Sequence, residues 1–415
     1  MKRKHTSKTL LSLILVTAML ILSGCGRAED LTKGITPNEV STSQILDAEN
    51  AAATDFALRL FRASADESEN TLISPLSVLS ALAMTANGAE EETLREMEEV
   101  LSMTTEELNS YLHAYMNSLP QGEGYKLHLA NSVWLTDDES FTVSEDFLQT
   151  NVDYYGAEIY RAPFDEKTCE KINVWVKKHT DGMIPEILKQ IPPEAVMCLV
   201  NALAFEAEWS QPYEEMQVRD GVFTREDGTE QTAEFMYSDE GHYLADDMAT
   251  GFMKYYKGYK YAFAALLPNE GVSVEEYIAS LDGESLHTML ANPQFDTVFA
   301  AVPKFEVEYG TELSEVLSGM GMNDAFDPER ADFSGLGTSN RGNVYISQVL
   351  HKTFISVAEK GTKAGAATAV LMDAGDALIE DPKEVYLDRP FVYMLVDCEN
   401  GTPFFIGAMM DLNAN

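Results

Sequence analysis

The chain has few basic residues: 29 Lys and Arg stand against 68 Asp and Glu, which gives a formal net charge of −39 at pH 7. Residues 1–24 contain four basic residues and no acidic one, so removing them changes this charge to −43. Nucleic-acid binding needs clustered Lys and Arg, and the composition argues against that class of partner. Such acidity indicates a soluble surface that repels anionic membranes.

Cysteines and catalytic motifs are scarce as well. Beyond Cys25, the chain has only Cys169, Cys198 and Cys398, which are odd in number and lack metal-ligand spacing. This argues against a disulfide framework, and we expect no metal or cofactor. Cys198 lies in the apolar run 196–200, which favours a buried small side chain over a reactive thiol. No nucleophile elbow, His-Glu-x-x-His, P-loop or EF-hand pattern is present, so we do not expect an enzyme.

The apolar run at the amino terminus, residues 10–22, is too short to span a bilayer comfortably and follows a basic stretch, which is typical of a secretory leader. Leu22-Ser23-Gly24-Cys25 resembles the lipobox of bacterial lipoproteins. We therefore expect a signal peptide over 1–24 and a lipid on Cys25 at the extracellular face of a bacterial membrane. The alternative is a plain secretory leader with an incidental cysteine, which gives a secreted protein. Residues 25–48 are polar and aperiodic, and they predict a flexible tether.

Residues 49–415 show no internal repeat or linker, and we interpret them as one large domain. Apolar periodicity and turn residues predict helices in the early half of the chain. Ser74 suits a helix cap, Pro75 suits the first helical residue, and Asn87-Gly88 suits the end of that helix. The predicted helices are 49–64, 75–87, 90–101, 105–118, 144–151, 168–179 and 274–281.

Strands dominate the later half of the sequence, where apolar or alternating segments are rich in β-branched and aromatic residues. Asn400-Gly401 marks a turn between the last two. The combination predicts an α+β domain with helices packed on large, mainly antiparallel sheets. The predicted strands are 70–73, 196–205, 252–256, 259–267, 297–308, 344–349, 351–359, 391–396 and 404–409.

Residues 360–388 form an unusually long connection between two predicted strands, and long loops in compact domains tend to be functional. After Gly361 no bulky apolar or aromatic side chain occurs until Val370. Such a segment can enter a sheet as a strand, with alternate residues on opposite faces. Thr362, Ala364, Ala366 and Thr368 would then share one face. Lys363, Gly365, Ala367 and Ala369 would share the other, where Lys363 can remain in water. The alternative is a surface loop without a role.

Several motifs, in one order from residue 49 to residue 412, resemble the serpin family. The middle of the second motif departs from the family pattern, which favours Tyr, Lys and Gly where this chain has Ala204, Glu206 and Ala207. The motifs are Asn70–Leu101 with Ser74-Pro75-Leu76-Ser77 and Asn87-Gly88-Ala89; Asn201–Trp209; Val302-Pro303-Lys304-Phe305; Ala331–Gly335; His351-Lys352; Glu359–Ala369; and Phe391 with Phe404-Phe405-Ile406-Gly407.

The resemblance implies the serpin fold with an exposed reactive loop and a mechanism of suicide inhibition. A target protease cleaves the loop and forms an acyl-enzyme, and the loop then inserts into the central sheet as a new strand. The hinge of this movement would be Glu359, Gly361, Thr362, Lys363, Ala364, Gly365, Ala366, Ala367 and Thr368. Gly365 departs mildly from the family's usual Ala.

The resemblance also assigns positions that govern insertion. Ser74, Ser77, Asn201 and His351 correspond to the shutter, a polar cluster beneath the sheet whose buried groups need partners. Trp209 corresponds to the breach, where insertion starts. Lys304 and Glu359 match a pair that tethers the hinge, and we expect an ion pair between them.

Two counts place the scissile bond differently. The family's distance from the hinge glycine gives Gly375-Asp376, whereas its distance from Pro390 gives Ile379, because this loop is four residues longer. We prefer Gly375-Asp376, within the range Met372 to Ile379, because the inserted strand must keep its length. No basic or aromatic residue lies between Ala364 and Pro382. The sequence therefore favours elastase-like or subtilisin-like serine proteases over trypsin-like ones, with acid-preferring and cysteine proteases as further options.

Three alternatives compete with an inhibitor that acts as a monomer. A non-inhibitory serpin, either a carrier or a plain substrate, would be expected to carry bulky, charged or Pro residues over 362–369, where only Lys363 is of that kind. A lipid-anchored solute-binding protein would show repeated βαβ units and two lobes. Ser74 with His351 could form a nucleophile and its base, but Ser74 suits a helix cap better.

Overall fold

A computed structural model describes residues 28–41, 44–66, 68–119, 125–138, 140–340, 342–362 and 382–414. The helices are α1 Asp47–Ser64, α2 Pro75–Ala86, α3 Glu91–Leu101, α4 Thr105–Ser118, α5 Glu145–Tyr155, α6 Glu166–His179, α7 Val274–Ser280, α8 Gly283–Ala291 and α9 Ser314–Gly319. The strands are β1 Glu29–Asp30, β2 Thr71–Ile73, β3 Tyr125–Thr136, β4 Thr142–Val143, β5 Glu158–Ala162, β6 Met197–Glu208, β7 Val218–Thr224, β8 Glu230–Ala245, β9 Ala249–Tyr255, β10 Tyr261–Pro268, β11 Gln294–Pro303, β12 Phe305–Glu312, β13 Gly337–Thr338, β14 Ile346–Ala358, β15 Gly361–Thr362, β16 Lys383–Tyr386, β17 Phe391–Asp397 and β18 Thr402–Met409.

Seven strands form the central sheet, in the order β1-β5-β3-β6-β15-β14-β12. Strands β3 and β6 pair antiparallel along almost their whole length, from Tyr125 opposite Ala207 to Leu135 opposite Met197. Strands β6 and β14 run parallel and pair directly from Met197 to Ala204. Beyond that level the short strand β15 lies between them.

The second sheet has nine strands, in the order β16-β11-β8-β9-β10-β17-β18-β2, with β7 paired to β8. Every residue of β10, β17 and β18 is buried. Strands covered on both faces are expected to be apolar throughout, as these three largely are, and they form the centre of the hydrophobic core.

Helix α2 lies between the two sheets. All twelve of its residues are buried, and it contacts β3, β6 and β18. Proline at its first position costs no hydrogen bond, because the first amides of a helix have no partner within it. Because α2 lies between the sheets, its first residues are directly under the middle of β6 and β14.

Helix α6 packs on the other face of the central sheet. Its Ile172 and Val176 belong to one buried apolar cluster with Val200 and Ala202 of β6 and Leu350 of β14. Cys198, fully buried as expected, belongs to the same cluster, and burial raises the pKa of its thiol to about 12. Helix α6 and the segment that follows it therefore cover the junction between β6 and β14.

The structure confirms the α+β class, and the predicted helices are present with ends shifted by a few residues. The predicted strand 297–308 is wrong as a single element. The chain leaves the second sheet at Pro303 and joins the central sheet at Phe305, so that Lys304 lies at the crossing. The strands predicted over 344–349 and 351–359 are one strand, β14. Pairing of β6 with both β3 and β14 in one sheet excludes the two-lobed βαβ alternative.

The end of α2 also differs from the prediction. The helix ends at Ala86, and Asn87 keeps a right-handed conformation with φ of −61°. Gly88 does not have the positive φ of a helix-ending glycine. A Cβ at Gly88 would lie 2.4 Å from Cβ of Leu336. Glycine is therefore required here for close packing rather than for a left-handed turn.

Part of the segment that we expected to be a flexible tether lies against the domain. Glu29 and Asp30 pair with Arg161 and Tyr160 of β5, and the Leu31 amide donates to the Ile159 carbonyl. Within the described part of the chain, no helix is long and apolar enough to cross a membrane. The predicted signal peptide and Cys25 lie outside the described residues.

Candidate functional site

The start of the predicted reactive loop lies inside the central sheet. Gly361 pairs with Glu208 of β6 and Ala358 of β14, and Thr362 pairs with Ala207 and Val357. Both pairings are antiparallel, because the chain turns back sharply after the end of β14. Two residues of the predicted hinge therefore occupy the position of a strand between β6 and β14. We call this region, residues 206–209 with 357–362, the hinge end of the sheet.

Glycine is the only residue type that fits at position 361 of the hinge end. Its φ is +151°, and a Cβ there would lie 1.9 Å from the Ala207 carbonyl oxygen. Side chains essentially never approach a backbone oxygen so closely, so any substitution would push the chain away from β6. The glycine lets the hinge turn from β14 into the space beside β6.

Thr362 is completely buried, and its hydroxyl lies 2.5 Å from the hydroxyl of Tyr256. Burial raises the pKa of the Tyr256 phenol far above its ordinary value, so the phenol stays neutral and can share a hydrogen bond. Each hydroxyl would lack this buried partner if the hinge left the sheet. The pair therefore stabilises the inserted position of Thr362.

Trp209 holds the backbone that leads into the hinge. Its indole Nε1 donates to the Ala358 carbonyl at 2.8 Å, and its amide donates to the Lys360 carbonyl at 2.9 Å. The Tyr213 amide donates to the Glu359 carbonyl at 2.9 Å. The three carbonyls that precede Gly361 are thus all bound by the segment that follows β6.

Lys304 and Glu359 form the expected ion pair, and Lys304 also binds Glu234 at 3.0 Å. Burial opposes the charge on Glu359, but the hydrogen bond from Lys304, a backbone hydrogen bond and the charges of Lys304 and Lys360 together outweigh it, so the pKa of Glu359 is lowered. The side chains are 23% and 39% exposed, so solvent screens the pair and its contribution to stability is small.

A second charged pair at this end was not predicted from the sequence. Lys254 of β9 is almost fully buried and binds Glu240 of β8 at 2.7 Å. The ammonium lies 4.3 Å from the centre of the Tyr213 ring and 5.6 Å from the Trp209 ring. Burial disfavours the charge of Lys254, but the attraction of Tyr213 and Glu240 prevails and its pKa is raised. Lys254 therefore supports both residues that hold the hinge backbone.

The predicted shutter residues meet beneath the middle of the central sheet. His351 of β14 lies beside Asn201 of β6, and its Nδ1 is 2.5 Å from the Asn201 Oδ1. Asn201 Oδ1 also accepts from the Ser77 hydroxyl at 3.1 Å. The Ser74 amide donates to His351 Nε2 at 3.1 Å. The shutter thus bridges β6 and β14 and joins both strands to the start of α2.

These contacts fix the protonation state of His351. Nε2 accepts from a backbone amide, so it carries no hydrogen, and Nδ1 must donate to the Asn201 oxygen. His351 is therefore neutral in the folded protein. Its burial, with 1% exposure, lowers its pKa to about 3. Protonation would place an uncompensated charge in the core and break the bond from Ser74.

Two features of the shutter differ from the sequence analysis. Ser74 is the residue before α2, but its hydroxyl does not cap the helix and has no hydrogen-bond partner among the residues that the structure describes. Asn131 of β3 was missed; it lies opposite Asn201 in the strand pairing, and within the described part of the chain both of its buried side-chain polar atoms lack a partner. Asn201 Nδ2 also lacks one. The sequence signal that could have revealed Asn131 is a polar side chain within a strand of the central sheet, opposite another polar residue.

The rest of the predicted loop, residues 363–381, lies outside the described residues. This segment includes the hinge positions Lys363, Ala364, Gly365, Ala366, Ala367 and Thr368 and the scissile range from Met372 to Ile379, with Gly375 and Asp376. The chain is described again from residue 382, and β16 pairs parallel with β11 of the second sheet. The two described ends of the loop therefore belong to different sheets.

Comparisons with known proteins agree with this geometry. A family model described as serpin (serine protease inhibitor) matches residues 51–412. An uncharacterised serpin-like protein of Thermococcus kodakarensis is 32% identical over 375 residues, which cover 87% of this chain and 85% of that protein. Human leukocyte elastase inhibitor is 29% identical over 378 residues, which cover 86% of this chain and 98% of that protein.

A solved structure provides the same comparison at the level of the fold. The crystal structure of the thermophilic serpin tengpin in the native state has a TM-score of 0.89 and 47% identity, and the match covers 93% of this chain and 100% of that one. Members of the matched family are mostly protease inhibitors rather than enzymes. The family model, the relatives and the arrangement of both sheets lead to one conclusion: the chain belongs to the serpin family.

Proposed function

We propose that this serpin is an irreversible suicide inhibitor of serine proteases, with cysteine proteases as a second class of target. The observation that carries the proposal is the position of Gly361 and Thr362 between β6 and β14. If β6 and β14 separate further, the residues after Thr362 gain backbone partners on both strands, as the first two hinge residues already have. Lys363 can face water, and the side chains of residues 364–369 are small enough to fit between two strands.

The chemistry of the reaction belongs to the protease. Its serine hydroxyl attacks the carbonyl carbon of Gly375, an ester forms, the Gly375-Asp376 bond breaks, and the new amine leaves with Asp376. Insertion of the cleaved strand then separates the two ends of the loop before water hydrolyses the ester. Energy for this step comes from strand pairing and burial that the uncleaved chain has not yet gained, so its stability is kinetic.

The sequence around the scissile bond favours elastase-like or subtilisin-like targets. Ala374, Gly375, Ala377 and Leu378 suit a shallow apolar pocket, and no basic side chain is present for a trypsin-like pocket. We also propose that the protein acts as a monomer at the extracellular face of a bacterial membrane, held by a lipid on Cys25, or as a secreted protein.

The test is to incubate the purified chain with elastase, subtilisin and trypsin and to analyse the mixtures by denaturing gel and mass spectrometry. We expect a complex of the summed mass with elastase or subtilisin, and a released fragment that begins between Asp373 and Glu380. Clean cleavage with full protease activity remaining would contradict inhibition and indicate a substrate-type serpin. A stable complex with trypsin alone would contradict the target class.

A further inference from the structure

Helix α6 covers the place where a new strand would enter the central sheet. Ile172 and Val176 of α6 share one apolar cluster with Val200 of β6 and Leu350 of β14, the two strands that must separate. A strand that reaches the middle of the sheet therefore has to part this cluster and move α6 outward. Whatever holds α6 against the sheet opposes that movement.

The carboxyl end of α6 is held by one carboxylate. Glu158, the first residue of β5, accepts hydrogen bonds at Oε2 from the Trp175 indole and from the Tyr160 hydroxyl, both at 2.5 Å. Its Oε1 lies 3.4 Å from Nε2 of His179, the last residue of α6. Trp134 of β3 stacks on Tyr160 at 4.4 Å. Glu158, Trp175 and His179 form what we call the α6 latch.

The hydrogen bonds of His179 show which form of the ring suits the latch. Nδ1 lies 2.8 Å from the Trp175 carbonyl, and a carbonyl only accepts, so Nδ1 carries a hydrogen. In the neutral ring Nε2 then presents a lone pair to the Glu158 carboxylate. The imidazolium donates from both nitrogens and satisfies both contacts, and the negative end of a helix dipole favours a cation there.

The charges around the latch come from several elements. Lys178 of α6 and His179 act on Glu158, and Asp30 of β1 acts on Tyr160. Near the end of α6, Asp181 binds Lys126 of β3. Burial opposes the charge on Glu158, but the hydrogen bonds from Tyr160 and Trp175 outweigh it and lower its pKa, so Glu158 is an acceptor throughout the range in which histidine titrates.

We propose that protonated His179 binds Glu158, holds α6 against the central sheet and slows the insertion of a strand between β6 and β14. Both are positioning residues, because they act through α6. The inference rests on the proposed function, in which insertion is the inhibitory step. It adds that insertion is slower at acidic pH than at alkaline pH.

A peptide with the sequence of residues 361–375 tests the latch without a protease. The full chain is incubated with the peptide at pH 8 and at about pH 5.5. The fraction of chain that has gained a strand, and unfolds at higher temperature, is followed with time. For a partly exposed ion pair we expect annealing to be about two- to fivefold slower at the acidic pH.

Three variants and a control separate the latch from other acid effects. His179→Gln and Glu158→Gln should anneal at the same rate at both pH values, and His179→Lys should be slow at both. His242→Gln, on β8 of the second sheet, should keep the wild-type pH dependence. An unchanged pH dependence in His179→Gln, or none in the wild type, would overturn the inference. Failure of the peptide to anneal at either pH would contradict the expandable sheet of the proposed function instead.

Discussion

The hinge end and the middle of the central sheet differ in how β6 and β14 are arranged. At the hinge end, β6 and β14 are already separated by Gly361 and Thr362. In the middle the two strands pair directly, and His351 and Asn201 bridge them beneath the sheet. The first region is open and held by many separate contacts, whereas the second is closed and completely buried.

The difference indicates where insertion is controlled. Hinge contacts come from backbone carbonyls, one buried hydroxyl pair and a partly exposed ion pair, and each can be lost singly. Shutter contacts share atoms, because Asn201 Oδ1 accepts from both Ser77 and His351. Asn131 and Asn201 Nδ2 remain without partners. In the proposed mechanism, insertion would therefore start where the fold already holds two residues between the strands, and continuing it would require a polar network to reorganise.

The largest effect is expected from a charge at the buried hinge position. In Thr362→Arg the guanidinium cannot occupy the site of the Thr362 hydroxyl, since burying an unpaired charge costs several kcal/mol. The hinge should leave the sheet, and the chain should become a substrate that is cleaved without forming a complex. Denaturing gels of mixtures with elastase would show this.

Thr362→Val is the matched control, because it keeps the shape and removes only the bond to Tyr256. We expect this variant to retain complex formation and to lose about 1–3 kcal/mol of stability from the unpaired phenol. Equal complex formation by the Arg and Val variants would contradict the requirement for a buried hinge.

The second prediction concerns the middle of the sheet and its dependence on pH. His351 has a pKa of about 3 when folded and an ordinary value of 6.5, so the unfolded chain binds the proton more readily between these values. Stability is therefore complete above pH 6.5 and falls by about 1.4 kcal/mol for each pH unit below it. Urea unfolding of wild type and His351→Gln at a series of pH values would isolate this slope. A constant difference between the two from pH 7 to pH 5 would show that His351 does not titrate on unfolding.

The sequence predicted the family, the class of fold and four of the residues that meet beneath the middle of the central sheet, because these are carried by local motifs. It did not predict that Ser74 leaves its hydroxyl unbonded, since a helix cap depends on a backbone angle that burial can change. Nor did it predict the pair of Lys254 and Glu240, which lie on neighbouring strands. Contacts between distant segments, such as Glu158 with His179, follow from packing that no local pattern records.

The third prediction tests whether Trp209 specifically holds the hinge. Trp209→Phe removes the bond to the Ala358 carbonyl and should cost about 1–2 kcal/mol of stability. Tyr277→Phe is the control, because it also removes one buried hydrogen bond, the one that its hydroxyl donates to Asp246 at 2.9 Å, but it lies on α7, outside the central sheet. Both variants should unfold more easily, but only Trp209→Phe should change the rate at which the loop peptide anneals. An equal change in both would assign the effect to general loosening of the fold.

The smallest effect is expected from the ion pair that the family resemblance singled out. Because Glu359 is 39% exposed, its pairing with Lys304 is screened, and Glu359→Gln should lower stability by about 0.2–1 kcal/mol, less in high salt. Glu308→Gln, which removes a similarly exposed partner of Lys352 on the same sheet, is the matched control. The two losses of stability should be alike, whereas only Glu359→Gln should speed peptide annealing, since only Glu359 lies at the hinge end. A loss of several kcal/mol in Glu359→Gln would mean that the hinge end is held as firmly as the shutter, and the contrast between the two regions would fail.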